Sequence, residues 1–459
     1  MHTYILRRLL LMIPTLLGIT IVVFAVMAAA PGGISAQSLI EGQNMEPAAK
    51  KAMEEYYNRR YGLDKPAPVQ YLRWLNNISP VGFRLDEAGE LDSFGLKGSD
   101  LGTSFLYGRN VGDLLAERLP ITILLNVLSI PIIYLISIVI GVYAATHRGK
   151  LFDTGTGISM MALWSVPTML AGVLLIGFFA SEQYWHWFPT SGLSERAAHD
   201  MPFLPHWGDG LDVLMMFGLI ALLVVGFTQL SLRLASRRRT QLMALVGAAL
   251  GYAMATAVAG GVSIIGSLFL MGLLGTLGAA VGFTEFKALR TFLMGLMGIM
   301  LGLILAFALM QGDFVRGYLL DRLWHLILPL LCLTYGGYAF LAKLTRTSVL
   351  ENLQSDYART ARAKGVSEKD VLWQHVFRNS LIPLITVSAS LLPALLSGSV
   401  IVETIFSIDG MGKLAVEAVQ GRDREMMLSI TLVIGLLTLV SYIIADVLYT
   451  LVDPRVSYD

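Results

Sequence analysis

Charge is scarce in this chain. Of 459 residues only 15% are Asp, Glu, Lys or Arg, against roughly a quarter in soluble globular domains. A soluble enzyme of this length would need far more charge on its surface. The net formal charge is +1, a balance that points neither to nucleic acid nor to an acidic substrate. The one cysteine, Cys332, lies inside an apolar run, which excludes an intrachain disulfide framework. In their place stand 55% hydrophobic residues and 45 glycines, with a mean hydropathy of +0.65. That is the composition of helices packed closely in lipid; in a soluble bundle so many glycines would be costly.

Stretches without Asp, Glu, Lys or Arg run Leu9–Ala30, Leu119–Thr146, Thr154–Ser181, Val213–Leu232, Thr240–Thr284, Thr291–Gly312, Leu323–Ala342, Asn379–Val402 and Met426–Ala445. Each except Thr240–Thr284 suits one crossing of a core about 30 Å thick. Thr240–Thr284 would reach about 68 Å as a single helix, so it is expected to fold back at Gly260-Gly261. The count becomes ten spans. Arg7 and Arg8 place the N-terminus in the cytoplasm by the positive-inside rule. With ten spans, Arg148 and Lys150, Arg237–Arg239, Lys287 and Arg290, and Lys343 and Arg346 all fall on that same side. The first run is too long for a cleavable signal and Pro14 interrupts it, although its Ala-Ala-Ala-Pro-Gly exit resembles a cleavage region.

Outside the membrane the reading leaves Pro31–Arg118, a loop around His186–Asp209, and Glu403–Glu425; Pro47–Tyr61 reads as a helix stopped by Gly62. On the inner side Arg346–Arg378 is the sizeable piece. Glu351–Lys364 has no Pro or Gly and reads as a helix with Gly365 as its stop. Ser367, with Asp370 three residues on, starts a second helix that meets the next span at Pro383. By shape alone this helix–Gly–helix elbow could be an ordinary loop.

Its residues say more. Tyr357-Ala358-Arg359-Thr360-Ala361-Arg362-Ala363-Lys364-Gly365 resembles the cytoplasmic "EAA" loop of binding-protein-dependent ABC importer permeases, in the form typical of the oligopeptide/dipeptide/nickel family. Tyr4–Arg8 with Pro14-Thr15 and Ala30-Pro31-Gly32, Tyr61–Pro66, Gln70–Leu75, Asp100–Phe105, Glu117–Pro120, Gly398–Phe406 with Gly410-Met411-Gly412, Asp446–Tyr449 and Asp453-Pro454-Arg455 are similar to that family's motifs in order and spacing. The resemblance covers about 1–210 and 313–459, and is to the first permease subunit, the one with a long N-terminal periplasmic segment. Two departures stand out: 77–99 is longer than usual, and 211–312 has no counterpart.

The resemblance implies an all-α polytopic membrane protein, with a six-span type I ABC importer permease core plus an inserted four-helix membrane segment, about ten spans in all. The expected division is an N-terminal span (1–30), a periplasmic segment (31–118), core spans 2–3 with their outer loop (119–210), the insertion (211–312) and the C-terminal core (313–459) carrying the coupling loop (346–378). It further implies a bacterial inner-membrane permease subunit for peptides or similar small solutes, with both termini cytoplasmic. Its partners would be a second homologous permease, two ATPase subunits and a periplasmic solute-binding protein. The elbow around Gly365 would sit in a groove on one ATPase. There Ala358, Ala361 and Ala363 keep its surface small, while Arg359, Arg362 and Lys364 meet acids at the rim. Glu403, Thr404, Gly410 and Gly412 are expected at the periplasmic gate or the binding-protein contact.

No nucleotide site or other cofactor is expected on the chain itself; ATP and Mg²⁺ would belong to the partner ATPases. Gly410-Met411-Gly412-Lys413-Leu414 lacks both the Ser/Thr after Lys and the upstream Gly of a phosphate loop, and Gly149-Lys150-Leu151 fails likewise. His186, His199 and His206 with Asp200 and Asp209 match no metal-ligand spacing and read as a Trp-rich interfacial loop. The glycines at 266, 272, 275, 278 and 282 offer a packing face, for the permease core or for another subunit. The rival reading is an ion-driven transporter or channel using Asp446 or His325, which leaves the elbow unexplained. A membrane-embedded hydrolase would need clustered catalytic groups that the spans lack.

Overall fold

Backbone in lipid must satisfy its own hydrogen bonds, and the apolar runs do so as helices. The computed structural model describes residues 2–30, 46–85, 91–205, 210–257, 264–284, 287–309 and 314–452. Two units emerge, Met1–Leu193 with His325–Asp459, and Ser194–Trp324.

In the first unit, α1 spans His2–Ala29. Helix α2 runs Pro47–Tyr61 and stops at Gly62, whose φ of 64° is left-handed, as its sequence indicates. Helix α3 (Ala67–Ile78) buries Gln70, Tyr71 and Trp74. Tyr71 packs edge-on against Phe24 of α1, and its hydroxyl lies 2.9 Å from that of Thr20. The longer stretch after it departs from an all-helical fold: β1 (Val81–Leu85) and β2 (Leu91–Leu96) form an antiparallel hairpin with Val81 opposite Leu96 and Phe83 opposite Phe94.

Helix α4 (Val111–Thr146) starts ahead of its apolar run, with the Asn110 side chain accepting from the Gly112 N–H as N-cap. The run Thr154–Ser181, read above as one span, is a bent pair. Helix α5 (Leu151–Ser165) and α6 (Thr168–Leu175, continued by a π-turn to Ala180) meet at 97° across Val166-Pro167, where proline disfavours helical geometry for the residue before it. Later in the chain come α12 (Asp356–Ala363), α13 (Phe377–Ile405), α14 (Met411–Gln420) and α15 (Arg424–Val452).

The second unit holds α7 (Gly210–Arg233), α8 (Ser236–Ala257), α9 (Ile264–Phe283) and α10 (Lys287–Leu309); α11 (Gly317–Leu353) begins in it and continues into the first. The glycine face is used inside the hairpin itself. A Cβ on Gly278 would lie 2.1 Å from the Met243 carbonyl oxygen, and one on Gly247 2.0 Å from that of Leu274, so α8 and α9 touch backbone to backbone. Gly282 meets Thr240 and Gly275 meets Ala248, whereas Gly272 faces open space. Arg239 is buried and donates to the Gly282 carbonyl at 2.6 Å and to Leu234 at 3.1 Å, a cation placed on helix C-terminal carbonyls. The expected Gly260-Gly261 turn lies outside the described residues.

Among the described residues, six helices are long and apolar enough to cross a membrane: Leu6–Ala29, Val111–Thr146, Leu211–Arg233, Gly266–Phe283, Gly317–Leu353 and Arg424–Val447; the bent pair would add a seventh. The ten-span reading also requires α8, α10 and α13, which are not in that set. What stands is a helical, multi-pass membrane protein.

Candidate functional site

The helix expected over Glu351–Lys364 is two helices. Helix α11 ends at Leu353 and α12 begins at Asp356, with a turn at Gln354-Ser355 closed by the Ser355 hydroxyl donating to the Asn352 carbonyl at 2.6 Å. Helix α12 then ends as the sequence indicates. Gly365 has φ 80°, its N–H donates to the Arg362 carbonyl at 2.9 Å, and the Val366 N–H donates back to Ala361 at 3.2 Å. Those two bonds are a Schellman stop. The Ser367 hydroxyl oxygen accepts from the Asp370 N–H and caps the next helical turn, Glu368–Asp370. A π-turn, Val371–Val376, carries that turn straight into α13.

The elbow has an inner and an outer face. Ala358 and Ala361, three residues apart on α12, are buried against Val142 and Ala145 of α4, Val349 of α11, and Val371 and Val376. Two of the three alanines expected on a docking surface therefore face the chain's own interior, where only a small side chain fits between helices. Tyr357, Arg359, Thr360, Ala363, Lys364 and Gly365 are exposed. Arg362 does not project outward: it pairs with Glu368 at 2.8 Å and donates to the Leu353 carbonyl at 3.1 Å, clamping both arms of the elbow.

Polar bonds join this block to the long helices. Asn352 donates to the Ser380 hydroxyl at 3.1 Å, and Ser348 to the Ser380 carbonyl at 3.2 Å. Arg346 grips Asp153 of α5 through two nitrogens, the longer contact at 2.8 Å, while the Gly149 N–H donates to the same carboxylate at 2.9 Å. A Cβ at Gly141 would lie 2.5 Å from Thr345, so α4 and α11 cross in backbone contact. Helices α4, α11, α12 and α13 thus share one packed junction.

At the far end of α13 lies the second predicted group. Glu403 is fully buried. Its carboxylate accepts from the Thr122 hydroxyl at 2.8 Å, the Gly412 N–H at 2.6 Å and the Lys413 N–H at 3.0 Å, so it fills the N-terminus of α14. The Thr122 hydroxyl oxygen in turn accepts from the Met411 N–H at 2.8 Å. A Cβ on Gly410 would stand 2.5 Å from that carboxylate, and one on Gly412 2.5 Å from Val400 Cα. The Gly-Met-Gly run leaves room for the chain's own anion, and only Thr404 of the four predicted residues is exposed.

Sequence reasoning missed a neighbouring network. Asp423, Arg424 and Glu425 are all buried at the start of α15. Asp423 accepts from the Ser104 hydroxyl at 2.6 Å and the Leu106 N–H at 3.1 Å. Arg424 pairs with Glu425 and donates to Gln70 Oε1 at 3.0 Å. Gln70 Nε2 donates to the carbonyls of Leu63 and Lys65 at 3.1 and 2.8 Å. Gly102, at φ 82°, lets the Asp100–Ser104 turn pass the Glu425 carboxylate, which a Cβ would approach to 3.1 Å. Segments 62–70, 100–106 and 421–426 are pinned together as a cap. The available signal was four consecutive charges, Arg422–Glu425, leading directly into an apolar run.

Asp446 is paired with Arg8 of α1 at 2.9 Å, and His325 is buried in α11. His186 Nδ1 lies 3.0 Å from the Ala180 carbonyl oxygen; His206 and Asp209 lie outside the described residues. Among the described residues no group of three or more His, Cys, Asp or Glu is placed to hold a metal.

Residues 137–458 match the family model described as "Binding-protein-dependent transport system inner membrane component", and residues 1–126 match "Binding-prot-dependent transport system membrane comp, N-term". The chain is 29% identical to the oligopeptide transport system permease protein AppB of Bacillus subtilis, covering 100% of both chains. It is 25% identical to the peptidoglycan transport system permease protein YejB of Agrobacterium fabrum, covering 100% of this chain and 99% of that one. With the di/tripeptide transport system permease protein DppB of Pseudomonas aeruginosa the identity is 27%, again over 100% of this chain and 99% of the other.

Proposed function

This chain belongs to the family of binding-protein-dependent transport system inner membrane components, and from that premise we propose what it carries and how it is driven. It is an inner-membrane permease subunit of an ABC importer. The cargo we assign is a peptide or a small peptide-containing solute, the chemistry common to the oligopeptide, di/tripeptide and peptidoglycan named in its relatives. The complex would comprise this chain, a second homologous permease, two ATPase subunits holding ATP and Mg²⁺, and a periplasmic solute-binding protein. Both termini would be cytoplasmic and about ten spans would cross the bilayer. Four of them, α7–α10, would be an insertion over 211–312 in a six-span core.

The observation that carries the drive mechanism is the elbow's two-faced construction. Its buried face welds α12 to α4, α11 and α13. Its exposed rim, formed by Tyr357, Arg359, Thr360, Ala363, Lys364 and Gly365, is available to an ATPase groove. Movement of the ATPases on binding ATP would then turn the junction as a body and reach Glu403 through α13. Glu403, Gly410 and Gly412 would act at the outer gate by holding α14 in place, with Thr404 left as the exposed contact for the binding protein.

Purification of the chain from its native membrane in mild detergent, with mass-spectrometric identification of the proteins that come with it, tests the assembly. A second permease and one or two ATPases are expected. A lone or self-associated chain from a well-behaved preparation would contradict it and return the ion-driven transporter to first place.

A further inference from the structure

Helices α1 and α15 run side by side but do not close along their whole length. Leu16 of α1 meets Gly435 of α15, where a Cβ on the glycine would lie 3.0 Å from the Leu16 side chain. Beside that contact an open cavity of about 440 Å³ is lined by Thr15 and Ile19 of α1 and by Thr431, Gly435, Thr438 and Tyr442 of α15. The threonine hydroxyls at 15 and 431 donate back to their own helices, to Leu11 and Met427, both at 2.8 Å. Those two donors are already used, so the cleft presents mainly methyl and methylene groups to an occupant. From Thr431 to Tyr442 the cleft extends about 17 Å along the helix. That is roughly half of a hydrocarbon core about 30 Å thick, the depth of one leaflet.

One end of the cleft is charged. Tyr442 to Asp446 is one helical turn, and Thr15 to Arg8 two turns, on the same faces that line the cavity. Asp446 and Arg8 pair there at 2.9 Å, and Arg7 beside them is exposed. The flanking surface of α1 is apolar and open, with Leu9 46%, Ile13 58% and Val22 62% exposed. A cleft one acyl chain long that opens on an exposed apolar surface and ends in Arg7 and the Arg8–Asp446 pair fits an anionic phospholipid.

We propose that the α1–α15 cleft is a binding site for one anionic phospholipid, its acyl chain lying between Thr15 and Thr438 and its phosphate at Arg7 and Arg8. Arg8, shared with Asp446, would hold the headgroup end of α1 against α15, and the chain would fill the gap that Gly435 leaves.

The test uses the full chain with its co-purifying partners in nanodiscs containing phosphatidylglycerol with a photoactivatable diazirine in one acyl chain. After illumination, adducts are mapped by peptide mass spectrometry. We expect adducts at 15–19 and 431–442 several-fold above those at 214–222 of α7, which is also apolar and exposed. Thr438→Phe, which fills the cleft, should reduce them to the α7 level, whereas Leu436→Phe on the exposed neighbouring face should leave them unchanged. Replacing the probe by its phosphatidylcholine analogue should lower the yield, as should Arg7→Gln. Even labelling of all lipid-facing helices, indifference to Thr438→Phe, or cross-linking of these segments to a second protein chain in place of lipid would each overturn the proposal.

Discussion

The two ends of α13 are built by opposite means. At the elbow, Ala358, Ala361, Val349, Val371 and Val376 make an apolar contact, with Arg359 and Lys364 on the rim and Arg362 tying the two arms together. At the cap, Glu403, Asp423, Arg424 and Glu425 are all buried and held by hydrogen bonds of fixed geometry. Apolar packing is non-directional, and a close-packed interior has low compressibility and transmits strain. A buried charge tolerates little, because losing one partner leaves an uncompensated group. The elbow is thus suited to transmit displacement as a solid piece. The cap is suited to hold one arrangement or release it as a whole.

The sharpest way to break that contrast is at Glu403. Glu403→Ala orphans the N–H groups of Gly412 and Lys413 and the Thr122 hydroxyl, and we expect a loss of about 3 kcal/mol or more, read as a lower unfolding midpoint in detergent. Thr404→Ala next to it, exposed, should stay within about 0.5 kcal/mol. Arg424 comes next. Arg424→Ala alone strands Glu425 and should cost about 3–5 kcal/mol, whereas the double change Arg424→Leu with Glu425→Leu should recover most of that loss. If the single and double variants are equally unstable, the pair is not the unit that holds the cap.

At the elbow the expected stability effects are smaller. Gly365→Val forces a β-branched residue into a left-handed conformation, a strain of about 1–2 kcal/mol, with no neighbouring atom within 4 Å of the new Cβ. Membrane insertion should be intact while ATP-driven uptake into proteoliposomes falls; full uptake would count against the lever. Least of all should come from Asp409, half-exposed and bridged to Arg118 and Lys413, each at 2.9 Å. Partial burial opposes its ionisation, but Lys413 and Arg118 outweigh this and hold its carboxyl below the usual range. A lowered folded pKa contributes stability above the ordinary carboxylate range and loses it as pH falls through the lowered value. Asp409→Asn should abolish that small acid-side dependence and cost no more than about 0.5 kcal/mol at neutral pH.

Features set by local chemistry could be read from the residues in advance. Gly62 and Gly365 stop helices because only glycine enters the left-handed region cheaply, and Ser367 caps because its hydroxyl reaches the Asp370 N–H. What depends on a distant partner could not. The break at Gln354-Ser355 carries no proline or glycine; it follows from Ala358 and Ala361 finding a seat on α4, more than 200 residues earlier in the chain. Glu403 reads as a surface acid after an apolar run, and its burial requires α14 to fold its N-terminus back onto it. The glycines of α9 reveal a packing face but not that its partner is α8, the other arm of the same hairpin. The charges at 423–425 read as a loop because nothing nearby in sequence shows that Ser104 and Gln70 receive them.

On the mechanism proposed above, the exposed rim of the elbow, and not its alanine face, meets the ATPase. The native Cys332 is buried, so a single cysteine introduced at Ala363 or at Ala361 can be probed selectively with a short thiol-to-amine cross-linker in the intact complex. The account predicts that Ala363→Cys cross-links to an ATPase subunit with a yield that changes when ATP is added, and that Ala361→Cys does not. Cross-linking from Ala361→Cys with Ala363→Cys silent would contradict it.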